Sequence, residues 1–74
     1  MNPKIVECVP NISEGRDNNI VQQCTQAIES VQGVKMVDFS SDPDHNRSVL
    51  TFIGPVEEVI EAAYRLTGKA IELI

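Results

Sequence analysis

Between Asp17 and Gly33 the sequence carries a single-sided apolar stripe. Ile20, Val21, Cys24, Ala27, Ile28 and Val31 recur at i, i+1, i+4, i+7, i+8 and i+11. That is the spacing of one helical face. Asp17 or Asn18 can cap its start, and Gly33 supplies a stop where a left-handed backbone suits glycine. A helix with one oily flank must bury it against another layer. The flanking segments supply that layer. Lys4 to Val9 reads as a strand ended by Pro10, which has no N–H for a ladder. Val34 to Phe39 and Ser48 to Ile53 read as two more strands. The polar segment Ser40 to Arg47 between those two is too short for a crossover, so they pair antiparallel.

Gly54-Pro55 opens a second helix. Proline is favoured in a first turn, and Glu57 and Glu58 complement the helix dipole there. Its expected buried stripe is Val56, Val59, Ile60, Ala63, Leu66 or Thr67, and Ala70, with Gly68 as a weak point. The order is β-α-β-β-α. The expected fold is therefore α+β, an α/β sandwich. It is an incomplete ferredoxin-like unit, with helices on one face of a small mixed sheet and a final strand missing. The apolar run Ala70 to Ile74 leads to the expectation that the sequence continues or that this end packs on a partner.

Seventy-four residues bound what such a unit can do. A chain of this size buries only about 60% of the surface its unfolded form exposes. Two domains are excluded, and a large enclosed active site is not expected. The net charge of −5 argues against a nucleic-acid partner and against an anionic membrane surface. No apolar run approaches the ~20 residues of a membrane span. Met1-Asn2-Pro3-Lys4 does not open a signal peptide, so the expected location is cytoplasmic. Cys8 and Cys24 are too few for a disulfide framework and read as small buried hydrophobes in a reducing compartment.

Polar residues concentrate in two segments. Asn11 to Arg16 follows the first strand and leads to a helix N-terminus, a position suited to ligands and equally suited to a capped turn. Ser41-Asp42-Pro43-Asp44-His45-Asn46-Arg47 contains more than a turn requires. Asp42, Asp44 and His45 do not have the spacing of a metal loop, so no metal is expected. His45 reads as a solvated side chain. Arg47 is suited to pairing with a carboxylate of the protein or of a ligand.

Glu7-Cys8-Val9-Pro10-Asn11-Ile12-Ser13-Glu14-Gly15-Arg16 resembles the opening signature of the glutamate formimidoyltransferases. Asp44-His45-Asn46-Arg47-Ser48-Val49-Leu50-Thr51-Phe52-Ile53-Gly54 resembles the second signature of the same family in its bacterial form. The resemblance runs over essentially the whole chain, as the first part of the family's N-terminal subdomain. It implies transfer of a formimino group from N-formimino-L-glutamate to tetrahydrofolate, in histidine degradation, in a cleft between two α/β subdomains. It implies that Asn11, Ser13, Glu14, Gly15, Asn46 and Arg47 line one wall of the substrate site. The family's catalytic histidine belongs to a His-x-Gly-Glu-His-Pro-Arg type segment beyond Ile74, and His45 is not its equivalent. No catalytic residue is therefore expected within these residues. A partner chain carrying the remaining transferase segments would have to complete the site, and the incomplete unit with its apolar end favours self-association. The other reading is a non-catalytic ligand-binding or dimerisation module that kept the fold.

Overall fold

The computed structural model describes residues 4–74. The expectation about a leader at Met1-Asn2-Pro3 lies outside the described residues. Six elements follow in order: β1 (Ile5–Cys8), β2 (Asn11–Ile12), α1 (Asn18–Glu29), β3 (Lys35–Asp42), β4 (Arg47–Pro55) and α2 (Val56–Leu73). The α+β class and the β-α-β-β-α order are those expected, with the first strand in two pieces.

The two pieces share one register. β1 pairs with β4 from Ile5↔Pro55 to Cys8↔Phe52, and β2 pairs with it at Asn11↔Val49 and Ile12↔Ser48. Pro10 was expected to end the strand. It only interrupts the ladder, because Leu50 still donates to the Pro10 carbonyl at 3.0 Å. The missing proline N–H costs one bond and leaves the alignment intact.

β3 takes the other side of β4, from Lys35↔Ile53 to Asp42↔Arg47, with an irregularity between Met36 and Asp38. β4 is thus central. The sheet differs from the expected mixed one in a single respect: all its pairings are antiparallel. β1 and β3 do run parallel to each other, as a β-α-β unit requires, but β4 lies between them.

Both helices cover the same face. β4 alternates strictly: Ser48, Leu50, Phe52 and Gly54 are buried while Val49, Thr51 and Ile53 are half-buried. Leu50 and Phe52 form the floor of a core closed by Val21, Cys24 and Ile28 of α1 and by Val59, Ala62 and Leu66 of α2. Each large side chain there contributes about 2–3 kcal/mol by leaving water. Both cysteines are free, Cys24 buried and Cys8 partly so.

Boundaries moved where local chemistry competed with tertiary pairing. Asp17 caps α1, its carboxylate accepting from Asn19 N at 3.0 Å and Ile20 N at 3.3 Å. α1 ends at Glu29 rather than at Gly33. Gly33, at φ +94°, instead turns the chain toward β3. Ser40, Ser41 and Asp42 belong to β3 and Arg47 to β4, so the expected polar loop shrinks to Pro43–Asn46. On α2 the buried stripe is rotated from the expected one. Ala62 is buried, while Val56 and Ile60 face solvent. Gly68 does not interrupt that helix.

Candidate functional site

The two polar segments meet. Asn46 sits in the left-handed region at φ +50°, a conformation its short polar side chain tolerates. From there its Oδ1 accepts the backbone N–H of Gly15 at 3.0 Å. Ser48, next but one along, is the single buried polar residue among the described ones. Its hydroxyl donates to the Glu14 carbonyl and pairs with the Ser41 hydroxyl at 2.8 Å. Arg16 Nε donates to the Pro43 carbonyl at 2.8 Å. The segment 13–16 is therefore fastened along the β3–β4 hairpin.

Gly15 is the tightest point of that seam. A Cβ there would lie 2.5 Å from Arg47 N, 2.6 Å from Arg47 O and 2.7 Å from Asp42 O. Only glycine allows the first loop to lie directly on the hairpin backbone. Glu14 closes the loop from its own side, its carboxylate accepting from Arg16 N at 3.2 Å and Asp17 N at 3.1 Å.

The hairpin tip is organised by Asp42. Its carboxylate accepts the backbone N–H of Asp44 at 3.1 Å and of His45 at 3.3 Å, and the His45 Nδ1 at 2.6 Å. The hydrogen bond from the His45 ring, followed by the backbone bonds and the imidazole charge, holds the Asp42 carboxyl below its ordinary value despite some desolvation. His45 is exposed, as expected of a solvated side chain, with its ring tied to Asp42.

Arg47 stands apart. Strand alternation places it on the face opposite Ser48, with Val49, Thr51 and Ile53. Asn11, directly across from Val49, lies on that same open face, as does Ser40. Among the described residues the Arg47 guanidinium has no hydrogen bond or ion pair. It is a free cation on a sheet face that no helix covers. Ser13 lies elsewhere, on the rim of a shallow groove of about 370 Å³ between Pro10–Ser13 and the end of α2, where Leu66, Ala70 and Ile74 line the other wall.

The six singled-out residues therefore fall into three places. Asn11 and Arg47 lie on the open sheet face, with Asn11 also on the rim of the groove beside Ser13, and Glu14, Gly15 and Asn46 form the seam. Sequence reasoning missed Ser41, Ser48 and Asp42 as parts of the seam. The signal for Ser48 was present: Ser48, Leu50 and Phe52 alternate onto the buried face, and a buried hydroxyl needs partners.

This geometry is carried by residues within two long sequence signatures, and wider comparison agrees with them. The family profile described as the formiminotransferase domain, N-terminal subdomain, matches residues 5–74. The chain belongs to this family. A glutamate formimidoyltransferase of Thermoplasma acidophilum is 47% identical over 70 residues, covering 95% of this chain and 23% of that protein. One from Streptococcus pyogenes is 44% identical over 71 residues, covering 96% and 24%. The formimidoyltransferase-cyclodeaminase of Sus scrofa is 38% identical, covering 96% of this chain and 13% of its own length. The chain thus spans less than a quarter of the formiminotransferases it matches. Among the described residues no three His, Cys, Asp or Glu side chains come together as a metal group, and no helix is long and apolar enough to cross a membrane.

Proposed function

We propose that these 74 residues form a single partial domain, the first part of the N-terminal subdomain of a cytoplasmic glutamate formimidoyltransferase. They provide one wall of the site where a formimino group passes from N-formimino-L-glutamate to tetrahydrofolate. Arg47 binds a carboxylate of formiminoglutamate, with Asn11 beside it on the open sheet face. The observation that carries this reading is the division of labour at the second signature. Asn46 and Ser48 hold the neighbouring loop, so Arg47 has no protein carboxylate to satisfy. An unpaired guanidinium at the head of a strand held by that seam is suited to bidentate recognition of a carboxylate.

Glu14, Gly15 and Asn46 act one step back from the ligand. They hold the hairpin that presents Arg47. The proton transfers belong to the family's histidine segment, which follows the stretch resembled here. Acid–base catalysis requires that group beside both substrates. On this reading the chain alone binds but does not turn over, and the remaining transferase segments come from elsewhere.

The test uses the full-length Streptococcus pyogenes relative with the residue matching Arg47 changed to Ala and, separately, to Lys. The KM for formiminoglutamate should rise by about tenfold or more in the Ala variant, as expected for a lost charged contact of about 1.5–3 kcal/mol. The tetrahydrofolate KM should stay near its original value. Lys should restore part of the loss. An unchanged formiminoglutamate KM in both variants would remove Arg47 from the site.

A further inference from the structure

The helix layer stops short of the β3 edge. Phe39 lies across from Leu50, on the face that the helices cover, yet it is 57% exposed. A groove of about 500 Å³ lies between it and α1. Asn18, Gln22 and Gln26, at i, i+4 and i+8, form the helix wall together with Thr25 and Glu29. Thr25 is satisfied by its own helix, its hydroxyl donating to the Val21 carbonyl at 3.0 Å. Among the described residues the three carboxamides have no hydrogen-bond partner within the chain. α1 carries no charge from Asn18 to Ile28, in a chain of net −5. Among the described residues Glu29 is thus the single charge lining the groove.

The backbone of Phe39 is free at the same place. Leu50 donates to the Pro10 carbonyl, so its peptide groups point to the β1–β2 side of β4. Phe39, opposite Leu50, therefore forms a non-hydrogen-bonded pair with it, and Ser41 does the same opposite Ser48. The N–H and C=O groups of both point out of the sheet edge. Bulges and charges discourage strand addition, but here they stand elsewhere. The irregularity lies between Met36 and Asp38, before this stretch. Lys35, Asp38 and Asp42 pair with Ile53, Thr51 and Arg47, on the opposite face of the sheet.

We propose that this groove binds an extended segment of another protein, added antiparallel to β3 at Phe39 and Ser41 and carrying a basic residue. Strand addition satisfies the outward backbone groups of β3. The carboxamides of α1, each donor and acceptor at once, meet the polar groups along the other side of the segment. An apolar side chain of the segment packs on the Phe39 ring. The basic residue follows from Glu29 and from the net charge of −5, which both attract a cation. β3 leaves the Glu29 end of α1 after the turn at Gly33. An antiparallel segment thus brings its C-terminal end to Glu29, and the basic residue belongs there. The inference does not depend on the transferase reading.

The test pans a phage-displayed library of random heptapeptides on the purified chain. A synthetic peptide of the enriched consensus is then titrated into the isotope-labelled chain. The consensus should alternate apolar residues, with Lys or Arg toward its C-terminal end. Amide shifts should saturate and gather at residues 18–29 and 38–42. N-methylation of the peptide backbone where it faces Phe39 should weaken binding by about tenfold or more, because the lost bond belongs to strand addition. Phe39→Pro removes an N–H that β4 does not use and should have the same effect. Glu29→Lys should weaken binding by about threefold or more, as for an exposed charge pair. If Phe39→Pro fails to fold, the N-methylated peptide carries the test on the unaltered chain. No enriched consensus, an acidic one, shifts gathered on the open face from Arg47 to Ile53, or equal binding of the N-methylated peptide each overturns the proposal. In the full-length Streptococcus pyogenes relative carrying these 74 residues as a graft, and still active, binding should persist. Its loss there gives the groove to the enzyme's own segments and overturns the assignment to another protein.

Discussion

Asn46 accepts the backbone N–H of Gly15 from 31 positions further along the chain, at 3.0 Å and from a left-handed backbone. One residue thus does two things: it makes the hairpin turn, and it ties the first signature to the second. The two roles can be separated. Asn46→Gly keeps the turn and removes the acceptor, and should cost about 1 kcal/mol. Asn46→Ala also forces a side chain into the left-handed region and should cost about 2–3 kcal/mol. Urea midpoints of the two variants, compared at equal m-value, check this. Equal midpoints for Asn46→Gly and the original chain would show that the bond to Gly15 contributes nothing.

Gly15→Ala should be worse than either. The three atoms a methyl would meet, at 2.5, 2.6 and 2.7 Å, are all backbone atoms of Arg47 and Asp42. They cannot rotate aside as a side chain would. A loss of about 2–4 kcal/mol is expected, with amide chemical-shift changes gathered in residues 13–16 and 42–48. Shifts spread evenly over the protein, or a loss under about 0.5 kcal/mol, would mean that the seam is looser than drawn.

The seam also marks where sequence reasoning stops. The α1 stripe was legible because period and caps agree over a dozen residues. The first strand was legible, but Pro10 concealed its continuation through Asn11 and Ile12, because the reason pairing resumes is a register imposed by β4. The same long-range pairing absorbs Ser40 to Asp42, which locally read as loop. Val56 and Ile60 fit a helical stripe in the sequence and yet stand exposed. Which flank of α2 turns inward is decided by where α1 sits, and composition carries no trace of that. Of the candidate site, the signatures named the residues but not the bonds between them. That Ser48 holds a loop while Arg47, its neighbour, stays free follows from strand alternation.

The two thiols should behave differently. Cys24 is fully buried, and loss of water raises its pKa by more than the nearby Lys69 charge lowers it. Its thiolate is scarce at neutral pH and its sulfur is out of reach. Cys8 is partly exposed. Titration with a disulfide reagent at micromolar dilution should show Cys8 reacting first. Cys24 should react only as fast as the fold opens, and its rate should climb with urea as global stability falls. A Cys24 rate independent of urea would contradict its place in the core.

The last prediction concerns acid. Asp42 has its pKa lowered in the folded chain, first by the hydrogen bond from the His45 ring. A carboxylate with a depressed folded pKa stabilises the fold above its unfolded value of about 3.9, and that contribution disappears as pH falls through the folded value. The window is therefore below about pH 4. Asp42→Asn retains an oxygen for the Asp44 and His45 backbone N–H groups, so the turn survives while the titrating charge goes. Stability of the original chain should fall more steeply than that of Asp42→Asn as pH is lowered into this window. The gap between them should close at the acid end. Both partners are exposed, so the effect is small and should shrink further in about 1 M salt, where charges are screened within about 3 Å. Denaturant midpoints collected down through that range check the sign. A gap that widens toward acid would show that Asp42 acts through its shape in the turn and not through its charge.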